Sequence, residues 1–70
     1  MVQQHEITVG RTGSATYTLR GAWIYRDTGN NRPYRYDTLE GFAREWSTGA
    51  FGVSWQDTPE GKRLIDRFTN

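Results

Sequence analysis

Between Ala15 and Arg26 the chain alternates two kinds of side chain. Tyr17, Leu19, Trp23 and Tyr25 occupy one set of alternate positions, and Thr16, Thr18, Arg20, Ile24 and Arg26 occupy the positions between them. Side chains of a strand point to opposite faces with a period of two. The run therefore predicts extended chain with one aromatic face and one arginine–threonine face. Gly21 interrupts it, so either one long bent strand spans 14–26 or two shorter strands meet at the glycine.

The rest of the first half reads the same way. Residues 4–9 alternate with Ile7 and Val9 on one side and predict a first strand, closed by a turn at Gly10-Arg-Thr-Gly13. Asp27-Thr-Gly-Asn-Asn-Arg32 is a turn signal, and Pro33 to Asp37 follows as a short edge strand with Tyr34 and Tyr36 on one face and Arg35 on the other.

After Asp37 the period changes from two to 3.6. Asp37-Thr-Leu-Glu40 has the spacing of a capping box, and Leu39, Phe42, Ala43 and Trp46 fall at i, i+3, i+4 and i+7. An amphipathic helix of about ten residues is predicted, with Glu40 and Arg44 at i, i+4 on its wet face. Phe51-Gly-Val-Ser-Trp55 reads as a short strand or extended loop. Thr58-Pro59-Glu60 opens a terminal helix, with threonine as the cap, proline in the first turn and an acid at the positive end. Leu64, Ile65 and Phe68 form its expected buried stripe. The predicted fold is a single α+β domain over residues 1–70: an antiparallel sheet of three to four strands packed against an amphipathic helix, plus a short C-terminal helix.

Composition narrows the means of stabilisation. A chain of 70 residues buries only about 60% of its unfolded surface, and this one has no cysteine, which excludes disulfides and thiolate metal sites. Its three Trp, four Tyr and three Phe must supply the core, each large ring burying roughly 150–250 Å². The first residues lack the basic and apolar regions of a secretory leader, and no apolar run approaches the roughly 20 residues of a membrane span. A cytoplasmic location and no membrane partner are expected.

Catalytic chemistry finds little to use. The one histidine, His5, falls at the start of the first strand and reads as a rim residue. Serines 14, 47 and 54 lie outside any Gly-x-Ser-x-Gly elbow, and the glycine-containing turns lack the lysine–hydroxyl pair of a phosphate loop. The chain reads as non-enzymatic, with no metal and no small-molecule cofactor.

Charge points to binding instead. Net charge is +1, yet residues 1–36 carry five arginines against Glu6 and Asp27, and eight of the nine basic residues are arginine, the side chain suited to bidentate recognition of phosphate or carboxylate. Arg20 and Arg26 are read as sharing a strand face that Arg35 joins if register allows, with Arg11 and Arg32 flanking it from turns. Such a face could meet nucleic acid, or it could be the wet side of a half-buried sheet.

Gly21-Ala-Trp23-Ile-Tyr25-Arg26, the polar turn with Gly29 and Arg32, Tyr34-Arg-Tyr36 and Leu39-Glu-Gly-Phe42-Ala-Arg-Glu-Trp46 together resemble the arm-type DNA-binding domains of phage integrases and the related AP2-like domains. The likeness covers about 26 residues, 21–46. It implies a three-stranded sheet on one helix that reads the major groove, with Arg20, Arg26, Arg32 and Arg35 as contacts and Trp23, Phe42 and Trp46 as core. This chain differs in its scarcity of lysine, in Asp27 and Asp37 beside the surface, and in the added terminal helix.

The alternative is a protein partner. Small chemistry-free domains of this kind include phage or mobile-element accessory proteins that bind and inhibit a host or defence complex, anti-CRISPR-like inhibitors among them. Phe51 and Trp55 would then be the interface aromatics if exposed. A homodimer through Ile7–Val9 or the Tyr34–Tyr36 strand is a further option.

Overall fold

A computed structural model describes residues 6–69 of the chain; His5 lies outside the described residues. The element order is β1 (Glu6–Thr12), β2 (Ala15–Arg20), β3 (Trp23–Asp27), β4 (Tyr34–Thr38), α1 (Leu39–Ser47), β5 (Gln56–Asp57) and α2 (Pro59–Thr69). The strands form one antiparallel sheet in the order β4-β3-β2-β1-β5. Both helices lie on the same side of it, α1 against β3 and β4 and α2 against β1. The result is the expected α+β fold with one strand more than anticipated, because two-residue β5 is too short to show any periodicity.

Two glycines direct the first half. Gly13 and Gly21 have φ of +57° and +66°, and each opens a two-residue connection, Thr12 pairing with Ala15 and Arg20 with Trp23. A positive φ at the first central residue is what a type II′ hairpin turn requires, and glycine meets it without strain. Two strands therefore meet at Gly21, which settles the choice between one bent strand and two. β1 also runs through Gly10 instead of ending there. A Cβ at Gly10 would collide with the Trp55 ring, so the glycine is needed for a close approach within a strand.

The core lies between sheet and helices. Val9, Ala15, Tyr17, Leu19 and Ile24 from the sheet meet Phe42 and Ala43 of α1 and Ile65 of α2, all buried, with Ile7, Leu39, Trp46, Phe51, Trp55 and Leu64 packed around them. Tyr17 is the hub of an aromatic cluster, its centroid 5.3–5.6 Å from those of Tyr36, Phe42, Phe51 and Trp55. Phe51 stacks on Trp55 at 4.6 Å, and Trp46 meets Trp55 edge-on at 5.1 Å. Offset and edge-on pairs of this kind add about 0.5–1.5 kcal/mol each beyond their area burial.

The helix ends show what their sequences predict, with one shift. Thr38, not Asp37, caps α1: its Oγ1 accepts the Gly41 N–H at 3.0 Å, while the Asp37 carboxylate accepts the N–H of Thr38 at 2.7 Å. Thr58 caps α2 as anticipated, accepting the Gly61 N–H at 3.0 Å and donating its own hydroxyl to the Thr8 carbonyl, which ties the helix start to β1. On α2, Ile65 is buried but Phe68 is half-exposed, so the expected stripe of Leu64, Ile65 and Phe68 narrows to its first two members. Among the described residues no helix is long and apolar enough to cross a membrane.

Candidate functional site

The sheet has one covered face and one open face, and strand pairing assigns each side chain to one of them. Leu19 pairs with Ile24 and Tyr17 with Arg26, all four toward the helices. Arg20 pairs with Trp23, Thr18 with Tyr25 and Thr16 with Asp27, all on the open side. β1 adds Glu6 opposite Arg20, Thr8 opposite Thr18 and Arg11 opposite Thr16, and β4 adds Arg35 opposite Tyr25. Register thus builds parallel rows across the open face, among them Glu6–Arg20–Trp23 and Thr8–Thr18–Tyr25–Arg35.

This arrangement corrects two expectations. Arg20 and Arg26 do not share a face, and Trp23 is not a core residue; it is 38% exposed on the open side. The cause is the two-residue turn at Gly21-Ala22. In one continuous strand residues 20 and 26 have the same parity, but a two-residue reversal pairs 20 with 23 and exchanges the faces of everything after it.

On the open face, guanidiniums and rings interleave. The Arg35 Cζ lies 4.2 Å from the Trp23 ring centroid, and the Arg20 Cζ lies 4.9 Å from that of Tyr25. Both contacts run diagonally, since the directly paired residues are Arg35 with Tyr25 and Arg20 with Trp23; diagonal neighbours are within reach of long and aromatic side chains. Arg20 also carries an ion pair, its Nε 2.9 Å from Glu6 Oε1, close but not aligned as a hydrogen bond. Stacking on a ring fixes a guanidinium plane while leaving its N–H edge free for a partner. Across the whole face, Arg11, Arg20 and Arg35 stand against Glu6 and Asp27.

The remaining sequence candidates are dispersed. Arg11 is exposed within β1 instead of flanking from a turn, and Arg32 is exposed in the loop between β3 and β4. Arg26 lies on the helix side, where its Nη1 donates to Tyr34 Oη at 2.7 Å; that bond raises its pKa above the ordinary arginine value. Phe51 and Trp55 are half-buried in the aromatic cluster and form no exposed patch. The exposed aromatics are Trp23, Tyr34, Tyr36 and, on α2, Phe68.

Tyr34 and Tyr36 share the helix-side face of β4, as their alternation predicts. Tyr36 donates to Glu45 Oε2 at 2.9 Å, and partial burial together with that bond and the nearby carboxylate pushes its hydroxyl up to about 12. Alongside it an open concavity of about 580 Å³ runs between β4 and α1, lined by Asp37, Glu40, Arg44 and Glu45. Arg44 stands 3.8 Å from Glu40 there, both exposed to solvent. Among the described residues no group of three or more His, Cys, Asp or Glu is placed to hold a metal ion. Sequence reasoning missed Trp23 and Tyr25 as surface residues; a two-residue Gly21-Ala22 turn was the signal that could have placed them.

No family model, curated protein or solved structure matches the chain.

Proposed function

We propose that the protein is a non-enzymatic binding module whose open sheet face engages a nucleic acid. One observation carries this reading: the interleaving of Arg20 and Arg35 with Tyr25 and Trp23 on an uncovered sheet. Arginine supplies phosphate contacts in a rigid fork, aromatic rings supply surfaces for bases, and the hydroxyls of Thr8, Thr16 and Thr18 supply hydrogen bonds between them. Arg11 extends the face toward β5, and Arg32 is exposed in the loop that joins β3 to β4. Arg26 belongs to the opposite face and is left out of the surface. DNA is the form of nucleic acid that the resemblance to arm-type and AP2-like domains suggests.

A protein partner is the second reading, favoured by Glu6 and Asp27 on the same face and by a net charge of only +1. Trp, Tyr and Arg are also the residues that dominate protein interfaces, and a cytoplasmic accessory protein that inhibits a host or defence complex would use this face in the same way. Titration of fluorescent DNA and RNA oligonucleotides at low and near-physiological salt separates the two. Binding that weakens as salt rises supports nucleic acid. Its absence at micromolar protein favours a protein partner.

A further inference from the structure

We infer that the ligand of the open face is a single-stranded nucleic acid running along β3, with bases stacked at Trp23 and Tyr25; this rests on the nucleic-acid reading above. Three features of the face separate a single strand from a duplex.

The first is where the rings are. Trp23 and Tyr25 are alternate residues of the central part of the sheet, on one face and about 7 Å apart along the strand. A duplex hides the flat surfaces of its bases and offers only their edges in the groove. Exposed Trp23 and half-buried Tyr25, side by side on the open face, offer ring surface to the bases a single strand uncovers, and a spacing of about 7 Å is twice the rise per base of about 3.4 Å, so each ring can take its own nucleotide.

The second is where the charges are. Arg20 on β2 and Arg35 on β4 flank β3, one on each side, with their guanidiniums resting on the rings. A backbone laid along β3 passes between them, and each guanidinium can turn its N–H edge to a phosphate while its plane stays near a ring or base.

The third is how much charge there is. Duplex DNA carries one charge per roughly 1.7 Å, against roughly 3.4 Å for each strand. Three arginines opposed by Glu6 and Asp27 suit the sparser ligand, because stacking does not depend on charge.

The test measures anisotropy of a labelled oligothymidylate, an oligouridylate and a mixed-sequence duplex of the same length. The proteins are the unaltered chain, Trp23→Ala, Trp23→Phe and Arg35→Gln, each checked for folding by circular dichroism. The expected result is that the single strands bind at least about tenfold more tightly than duplex, Trp23→Ala loses about fivefold or more, and Trp23→Phe recovers most of that loss. A duplex that binds as well or better, or a folded Trp23→Ala protein that binds single strands unchanged, overturns the inference and leaves the nucleic-acid reading standing. Salt-dependent binding to none of the three ligands removes both.

Discussion

The guanidinium of Arg35 lies over the ring of Trp23, 4.2 Å from its centroid, although Arg35 is paired across the sheet with Tyr25. A contact that reaches past the direct neighbour holds both side chains on the open face without burying either. Exposed cation–π contacts contribute about 0.5–1 kcal/mol. Arg35→Ala is therefore expected to lower Tm by no more than about 8 °C in a domain of this size. A thermal melt checks it, and a much larger drop would show that Arg35 is part of the packing.

Strand parity itself can be tested by a pair of truncations. Ile24→Ala empties a fully buried position beneath α1 and should cost about 2–5 kcal/mol, a large part of the stability of so small a domain. Trp23→Ala, one residue earlier, removes a larger side chain from the open face and should cost less. Denaturant titrations of the two proteins rank them, and the reverse ranking would contradict the register of β2 and β3.

Gly61 sits in the first turn of α2 against the backbone of Val9, and a Cβ there would overlap Val9 Cα and its carbonyl group. Alanine is the better helix former by about 1 kcal/mol, so propensity alone predicts that Gly61→Ala stabilises. Packing predicts the opposite, since neither partner in the overlap is a flexible side-chain end. A lowered denaturation midpoint in Gly61→Ala is the expected outcome.

Tyr36 gives a pH dependence at the alkaline end. Its hydroxyl titrates near 12 in the folded chain against an ordinary value of 10.0. The folded state thus keeps a proton that the unfolded state releases first, so the stabilisation is fully present below pH 10 and is lost as pH rises toward 12. Tyrosine absorbance followed through an alkaline titration should include a late-titrating contribution from Tyr36 in the unaltered protein. Tyr36→Phe should remove that contribution and flatten the stability change across the same interval.

Glu6 competes with any anionic ligand for Arg20, its carboxylate standing 2.9 Å from the guanidinium Nε. Both side chains are substantially exposed, so the pair adds little to stability. Glu6→Gln is expected to leave Tm within a few degrees and to tighten binding of an oligonucleotide several-fold at low salt, the gain shrinking as salt screens it. Unchanged or weaker binding in the anisotropy assay would mean that Arg20 does not contact the ligand.

Much of the architecture is legible along the chain because it depends on near neighbours. Leu39, Phe42, Ala43 and Trp46 recur at helical spacing, and all four pack into the core. Thr58 caps α2 because a hydroxyl before Pro59 reaches the free amide of Gly61 whatever the sheet does. The cap of α1 falls one residue later than the capping-box spacing predicts: Thr38, the last residue of β4, accepts the Gly41 N–H, while the Asp37 carboxylate accepts the N–H of Thr38.

The candidate site was legible only in part. Arg11, Arg20 and Arg35 do line one open surface, whereas Arg26 lies on the opposite face from Arg20 and Trp23 lies on the open face and not in the core. Phe51 and Trp55 qualify as interface aromatics only if exposed, and both are half-buried, the ring of Trp55 filling the space above Gly10 in a contact between residues far apart in the chain.

By itself, the sequence determined the α+β class and the turns at Gly13 and Gly21, since these follow from local periods and the backbone freedom of single residues, whereas the buried core is mostly aliphatic, with Tyr17 and Phe42 its aromatic members. Only the tertiary structure decided which side of the sheet each residue of β3 occupies. Alternation specifies that neighbours point in opposite directions, but the face they point to is set by the strand they pair with. Here the two-residue reversal at Gly21-Ala22 turned Trp23 and Tyr25 to the open face beside Arg20, and turned Arg26 to the helix side, where it meets Tyr34.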